Sequence, residues 1–205
     1  MKYALLLLIW VFSLTTYGKS ISLSPNVHSK VPFSSQYSEN GALIKSVDFR
    51  SINDLLPLIE MLSKQELNGR SLLHRNEAHI TVITPPESKT GFFPESIGID
   101  QKILTLDLIK NFRTDVQEAR FDIICVGKRS DKKGNIVFYL VIESPDIIRI
   151  RESIYKVTKI DPRIKFHPTN NYHPHITIGF IGGDVHGVSK GKETCVYDVS
   201  VQSEI

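Results

Sequence analysis

The stretch Ala78-His79-Ile80-Thr81-Val82-Ile83 decides the fold, because a β-branched run of this kind occurs twice in the chain. Its counterpart is Pro174-His175-Ile176-Thr177-Ile178-Gly179, which has the same His-x-Thr core. β-Branched runs that end at chain-breaking residues are typical of strands, and Pro85-Pro86 and Gly182-Gly183 close these two. The sequence therefore predicts two strands that each carry one copy of the same short motif.

The two motifs place chemically useful side chains on one face of each strand. Residues i and i+2 of a strand point to the same side, so the histidine and threonine of each copy share a face. A neutral histidine can take a proton from water or a ribose hydroxyl, and a protonated one can give a proton to a leaving oxygen. Threonine hydroxyls can donate to phosphate oxygens. We therefore predict His79 and His175 as catalytic residues and Thr81 and Thr177 as substrate-binding residues on a phosphodiester.

The elements around the motifs suggest a weak internal repeat. A strand, a helix and the first motif strand are followed by a hairpin, a helix and the second motif strand. In order, the predicted elements are a strand over 42–49, a helix from Ser51 or Asn53 to Leu67, strands over 78–84, 120–128 and 135–143, a helix over 145–160, and strands over 175–181 and 194–201. Residues 103–112 are ambiguous between strand and helix. The order predicts an α+β fold with two pseudo-symmetric lobes, whose antiparallel sheets flank a central cleft.

The paired motifs resemble the H-x-T signatures of the 2H phosphoesterase superfamily, which includes RNA-ligase-like and cyclic-phosphodiesterase proteins. The resemblance extends in element order from about Ala42 to Val201. It implies a bilobal fold, action without a metal or other cofactor, and substrates such as 2′,3′-cyclic phosphates or 2′,5′-linked nucleotides. The expected partner is thus a nucleotide or an RNA end.

Other polar residues near the second motif are further candidates. His186 and Lys190 could bind phosphate across the cleft, with Asp184 orienting His186, although a polar surface loop explains the same residues. His167 and His173 with His175 suggest a metal site only weakly, since no cysteine or carboxylate set accompanies them. We therefore predict no metal site.

Two tyrosines could stack a nucleotide base. They are Tyr139 and Tyr172, and for both the alternative is a position in the core or at the rim of the cleft.

The N-terminal region sets the expected location of the protein. Lys2 and the apolar run from Ala4 to Leu14 predict a signal peptide over residues 1–18. The apolar run itself is too short to span a bilayer. Residues 19–40, rich in Ser, Pro and Asn, predict an irregular arm, and residues 41–205 a single domain. We expect a secreted or secretory-lumen monomer that has no membrane attachment after cleavage.

The composition limits the classes of function and leaves the cysteines open. The 205 residues are 41% hydrophobic and 23% charged, and the net charge of +3 is too small to indicate a nucleic-acid partner by itself. Cys125 and Cys195 could form a disulfide worth about 4 kcal/mol, or they could be two buried free thiols.

Three functions are compatible with these observations. The first is a secreted, metal-independent phosphodiesterase that hydrolyses a cyclic or 2′-linked nucleotide or RNA ester, with ligation as a related activity. The second is a catalytically silent module of the same fold that binds nucleotides or RNA ends. The third is a structural domain in which both histidines are incidental. The sequence leaves open which histidine is the acid and which the base.

Overall fold

The described part of the protein is a mixed α+β fold built on one seven-stranded sheet. The computed structural model describes residues 20–32, 42–85, 87, 110–158 and 166–202. The strands are β1 (Ser20–Leu23), β2 (Leu43–Val47), β3 (Ala78–Ile83), β4 (Asp122–Ser130), β5 (Ile136–Glu143), β6 (His175–Ile181) and β7 (Cys195–Val201). Their order across the sheet is β1-β7-β4-β5-β6-β3-β2. All neighbouring strands are antiparallel except β1 and β7, which are parallel.

The helices differ from the sequence prediction mainly near the N-terminal half of the domain. They are α1 (Phe49–Asn53), α2 (Leu56–Leu62), α3 (Lys64–Leu67), α4 (Arg113–Glu118) and α5 (Pro145–Thr158). The single helix expected to end at Leu67 is three short helices. The first break occurs because Pro57 lies in the first turn of α2 and lacks the N–H needed to continue from α1. Its predicted end is confirmed, since Asn68 and Gly69 both have positive φ. None of the described helices has the length and apolar character to cross a bilayer.

The expected irregular arm over residues 19–40 is wrong for its first part. Residues 20–23 form β1, which pairs with β7 in parallel and buries Ile21 and Leu23. The alternation of serine with apolar residues is a strand pattern. The prediction missed it because it relied on the serine-rich composition of the segment. Residues 33–40 and the predicted signal peptide over residues 1–18 lie outside the described residues.

The central hairpin is confirmed. β4 and β5 are joined through residues 131–135, where Gly134 has a φ of 80°. The Asp131 carboxylate accepts hydrogen bonds from the side-chain amide of Asn135 and from the backbone N–H groups of Asn135 and Lys133, and these bonds hold the pKa of Asp131 below its usual range. The side chain thus fixes the turn by the local backbone capping that aspartate favours in turns.

The sheet has two unlike faces. One face packs against the helices and contains the main core, with Ile80, Ile176 and Ile178 buried together with residues of α1, α2 and α5. The other carries a smaller cluster that includes Tyr139, Val141 and Val185. The expected division into two pseudo-symmetric lobes is not confirmed, because the described strands form one sheet instead of two.

The two cysteines are joined. Cys125 in β4 and Cys195 at the start of β7 form a disulfide with a Cα–Cα distance of 5.7 Å. This resolves the alternative of free thiols, and the bridge anchors the end of the loop that runs from β6 to β7.

Candidate active site

The two motif strands are neighbours near the β2 edge of the sheet. β3 and β6 are antiparallel, and Ile80 lies opposite Ile176. Extending this register by one residue on each side brings His79 next to Thr177, and Thr81 next to His175. The isoleucines between them are buried, as the alternation predicts. The pairing therefore gathers both histidines and both threonines on the same face of the sheet.

These four side chains line one cavity of about 730 Å³. The rest of its described lining includes Glu77 and Arg75 before β3, Pro85 after it, and residues of the loop that follows β6. A second cavity, of about 760 Å³, lies beside the start of β6 and is lined by His173, Pro174 and Lys190, but its lining includes neither motif histidine. We therefore place the chemistry in the first cavity, where the convergent polar groups are.

His175 is held as a neutral imidazole of one tautomer. Its Nδ1 lies 2.8 Å from the backbone carbonyl oxygen of His173, which can only accept, so Nδ1 carries the proton. Its Nε2 lies 3.1 Å from the Lys190 ammonium, which donates to the Nε2 lone pair. Burial of the ring and the nearby Lys190 charge lower the pKa of His175 to about 3. His175 thus has the protonation state of a base.

His79 has a different neighbour. Its Nδ1 lies 3.4 Å from Glu77 Oε1, and both side chains are largely buried. Glu77 precedes His79 by two residues, so the strand alternation puts it on the same face. A carboxylate beside Nδ1 can orient the ring and offset the charge of an imidazolium.

A chain of alternating charges lies behind His175. The Asp184 carboxylate contacts the Arg75 guanidinium at 2.9 Å and the Lys190 ammonium at 3.4 Å. Lys190 is 4% exposed, and burial lowers its pKa. The structure thus places Asp184 between Arg75 and Lys190, whereas we had expected it to orient His186.

Arg75 and Glu77 are the site residues that sequence reasoning missed. Glu77 could have been found because it lies two residues before His79, where the i, i+2 alternation of β3 extends to it. Arg75 had no such signal, since its partner Asp184 is 109 residues away.

The remaining candidates have separate positions. His186 lines the cavity and is exposed at its rim. His167 and His173 do not join His175, because His167 Nδ1 accepts from the backbone of Thr169 and His173 Nε2 lies 3.2 Å from Ser189 Oγ. Within the described ranges no group of three or more His, Cys, Asp or Glu residues is placed to hold a metal ion.

The two tyrosines are structural. Tyr139 is fully buried, with its ring 5.6 Å from the His175 ring, and burial raises its pKa. Tyr172 donates its hydroxyl to the backbone oxygen of Thr81 at 2.9 Å, and burial raises its pKa well above the usual range. The core alternative is therefore correct for Tyr139, which packs beside His175 on the face that carries the motif side chains, and the partly buried Tyr172 packs against the main core on the other face.

The protein is thus a mixed α+β domain in which two His-x-Thr strands pair and open into one cavity. Residues 45–186, more than half of the chain, match the family model described as Swiss Army Knife, 2H phosphoesterase domain. The chain therefore belongs to the 2H phosphoesterase family, as its motifs suggested. Membership indicates a phosphodiesterase-type activity of the hydrolase or ligase kind.

Comparison with curated proteins and with solved structures gives no match.

Proposed function

We propose that this protein is a secreted, metal-independent phosphodiesterase that hydrolyses a 2′,3′-cyclic or 2′-linked nucleotide or RNA ester. The observation that carries the proposal is the different surroundings of the two motif histidines in one cavity. His175 is neutral beside a cation, and His79 faces a carboxylate. An acid and a base must differ in this way to act in the same reaction.

The roles follow from these surroundings. His175 is the base: its Nε2 takes the proton of a water molecule, whose oxygen attacks phosphorus. His79 is the acid: its imidazolium gives a proton to the leaving ribose oxygen as the P–O bond breaks, while Glu77 offsets its charge. One proton enters the enzyme and one leaves, and exchange with solvent restores both histidines.

The phosphate would be held by neutral and charged donors around the cavity. The Thr81 and Thr177 hydroxyls lie on the same face as the histidines and can donate to its non-bridging oxygens. Arg75 is anchored by Asp184 through one nitrogen and is 36% exposed, so the rest of its guanidinium can bind an anion. His186 at the rim can add a further contact.

Two observations support a secretory location. The Cys125–Cys195 disulfide is of the kind that persists in oxidising compartments. The apolar run from Ala4 to Leu14 has the composition of a signal-peptide core. Detection of the mature chain in the culture medium of expressing cells tests this part of the proposal.

The activity is tested by hydrolysis of 2′,3′-cyclic mononucleotides, and of a short RNA with a cyclic end, by residues 19–205 in EDTA. His79→Ala and His175→Ala should each lower kcat/KM by about two orders of magnitude or more. His28→Ala is the matched control, because His28 is exposed and packs on Phe121 away from the cavity.

The outcomes separate the alternatives. Turnover that survives EDTA and depends on both histidines supports the proposal. Binding of the cyclic nucleotides without turnover favours the silent binding module. An absence of both binding and turnover would reject the nucleotide-ester substrate.

A further inference from the structure

We infer that Lys190 is a positioning residue that acts through His175: it occupies Nε2 of the resting base and gives it up when a phosphodiester anion enters the cavity. The inference rests on the proposed function and concerns how its base is controlled. It differs from the direct phosphate contact that the sequence suggested for Lys190.

The geometry of Lys190 is that of a side chain directed at another residue. Its ammonium lies 3.1 Å from His175 Nε2 and 3.4 Å from Asp184 Oδ1, and 5.3 Å from the centre of the Tyr139 ring. The residue is 4% exposed, so these neighbours replace most of its hydration. A buried ammonium needs such partners, and here one of them is the nitrogen that the proposed reaction requires.

The contact has two consequences for the base. A lone pair that accepts from Lys190 cannot at the same time accept a proton from water. A cation beside the ring also disfavours the imidazolium that His175 must become. The resting arrangement is therefore protected against protonation and is also unreactive.

A phosphodiester in the cavity would reverse both effects of Lys190 on His175. Its negative charge attracts the ammonium, and Asp184 can stay paired with that ammonium during a small movement. Nε2 is then exposed to the attacking water, while the nearby anion stabilises the imidazolium. The base is thus freed at the moment when the substrate is present.

Several groups near His175 determine the direction in which its pKa should change when Lys190 is replaced. Lys190 and His79 disfavour its protonation, whereas Asp184 and the backbone oxygen of His173 favour it. Removal of the lysine charge should therefore raise the pKa of His175. The His175 ring can be followed by ¹⁵N–¹H NMR, which reports protonation and tautomer without any turnover.

The experiment compares Lys190→Met with Lys192→Met, a matched removal of one positive charge. Lys192 is a suitable control because it is exposed and its ammonium pairs with Glu143 at 2.6 Å. In the wild type His175 should stay neutral with the proton on Nδ1 between about pH 5 and 8. In Lys190→Met its midpoint should rise by about 1 pH unit or more, while Lys192→Met should leave it unchanged.

Kinetics complete the test. The acidic limb of the pH profile of kcat/KM should move upward in Lys190→Met in parallel with the NMR midpoint, and Lys190→Arg should restore part of the wild-type profile. An unchanged His175 midpoint in a folded Lys190→Met would overturn the inference. A raised midpoint in a protein that shows no turnover, with or without the lysine, would keep the coupling and reject the proposed function instead.

Discussion

Arg151 in α5 is the strongest structural support of the motif strands, and its replacement by methionine should destabilise the protein severely. The side chain is 0% exposed, and each of its five N–H donors has an acceptor. The acceptors are the backbone oxygens of Val82, His167 and Pro168 and the two carboxylate oxygens of Glu87. The guanidinium also stacks on Tyr172, 3.7 Å from the ring centre.

The size of the stability loss follows from the buried acceptors that methionine at position 151 would leave without a donor. Removing one partner of a buried ion pair costs about 3–5 kcal/mol. Each buried carbonyl that loses its donor costs about 1–3 kcal/mol, although these penalties overlap and do not simply add. We therefore expect a loss of at least about 3–5 kcal/mol, a large part of the stability of an ordinary domain.

The assay is urea unfolding followed by circular dichroism, because the single Trp of the chain lies in the predicted signal peptide. Glu87→Gln is the companion variant, since it removes the charge while keeping hydrogen-bonding groups next to Arg151. It should cost less than Arg151→Met, and it keeps the test usable if that variant does not fold. A loss below about 1 kcal/mol in Arg151→Met would refute the reasoning.

Three further predictions concern stability. The double variant Cys125→Ala/Cys195→Ala should lose about 4 kcal/mol in urea unfolding, because the bridge joins residues 70 positions apart; an equal stability would contradict the chain-entropy argument. His175, with a folded pKa of about 3, binds fewer protons than in the unfolded chain below pH ~6.5, so stability is full above that pH and falls with acidification by up to about 1.4 kcal/mol per pH unit. His175→Gln should flatten this dependence, and an unchanged slope would count against it. Gly127→Ala should cost about 1–3 kcal/mol in thermal unfolding, since a Cβ would lie 2.6 Å from a threonine hydroxyl and a tyrosine ring, whereas Gly183→Ala meets nothing within 4 Å and should be neutral.

The sequence predicted those parts of the fold that depend on local patterns. The period-two alternation around His79 and His175 and the turn residues of the β4–β5 hairpin are local signals, and the corresponding strands are confirmed. The joining of the strands into one sheet could not be read in this way. It depends on the contact between β3 and β6. There Ile80 lies opposite Ile176, although the two residues are 96 positions apart in the sequence (176 minus 80).

The same distinction applies to the site. The histidines and threonines were predicted because the motif repeats, and the structure places all four in one cavity. The charge chain from Arg75 through Asp184 to Lys190 was not predicted, because its members come from two loops that meet only in the folded protein. Tertiary ion pairs of this kind have no periodic signature in a sequence.

The residue two positions before each histidine explains how a duplicated motif can supply two different functions. In the second motif this residue is His173, whose backbone oxygen accepts from His175 Nδ1. In the first it is Glu77, whose side chain faces His79 Nδ1. Both arrangements place an oxygen beside Nδ1, but a carboxylate stabilises an imidazolium more than a neutral carbonyl does. The second ring also meets the Lys190 cation, so the two histidines are made unlike by their neighbours, and a paired acid and base can arise from one repeated strand sequence.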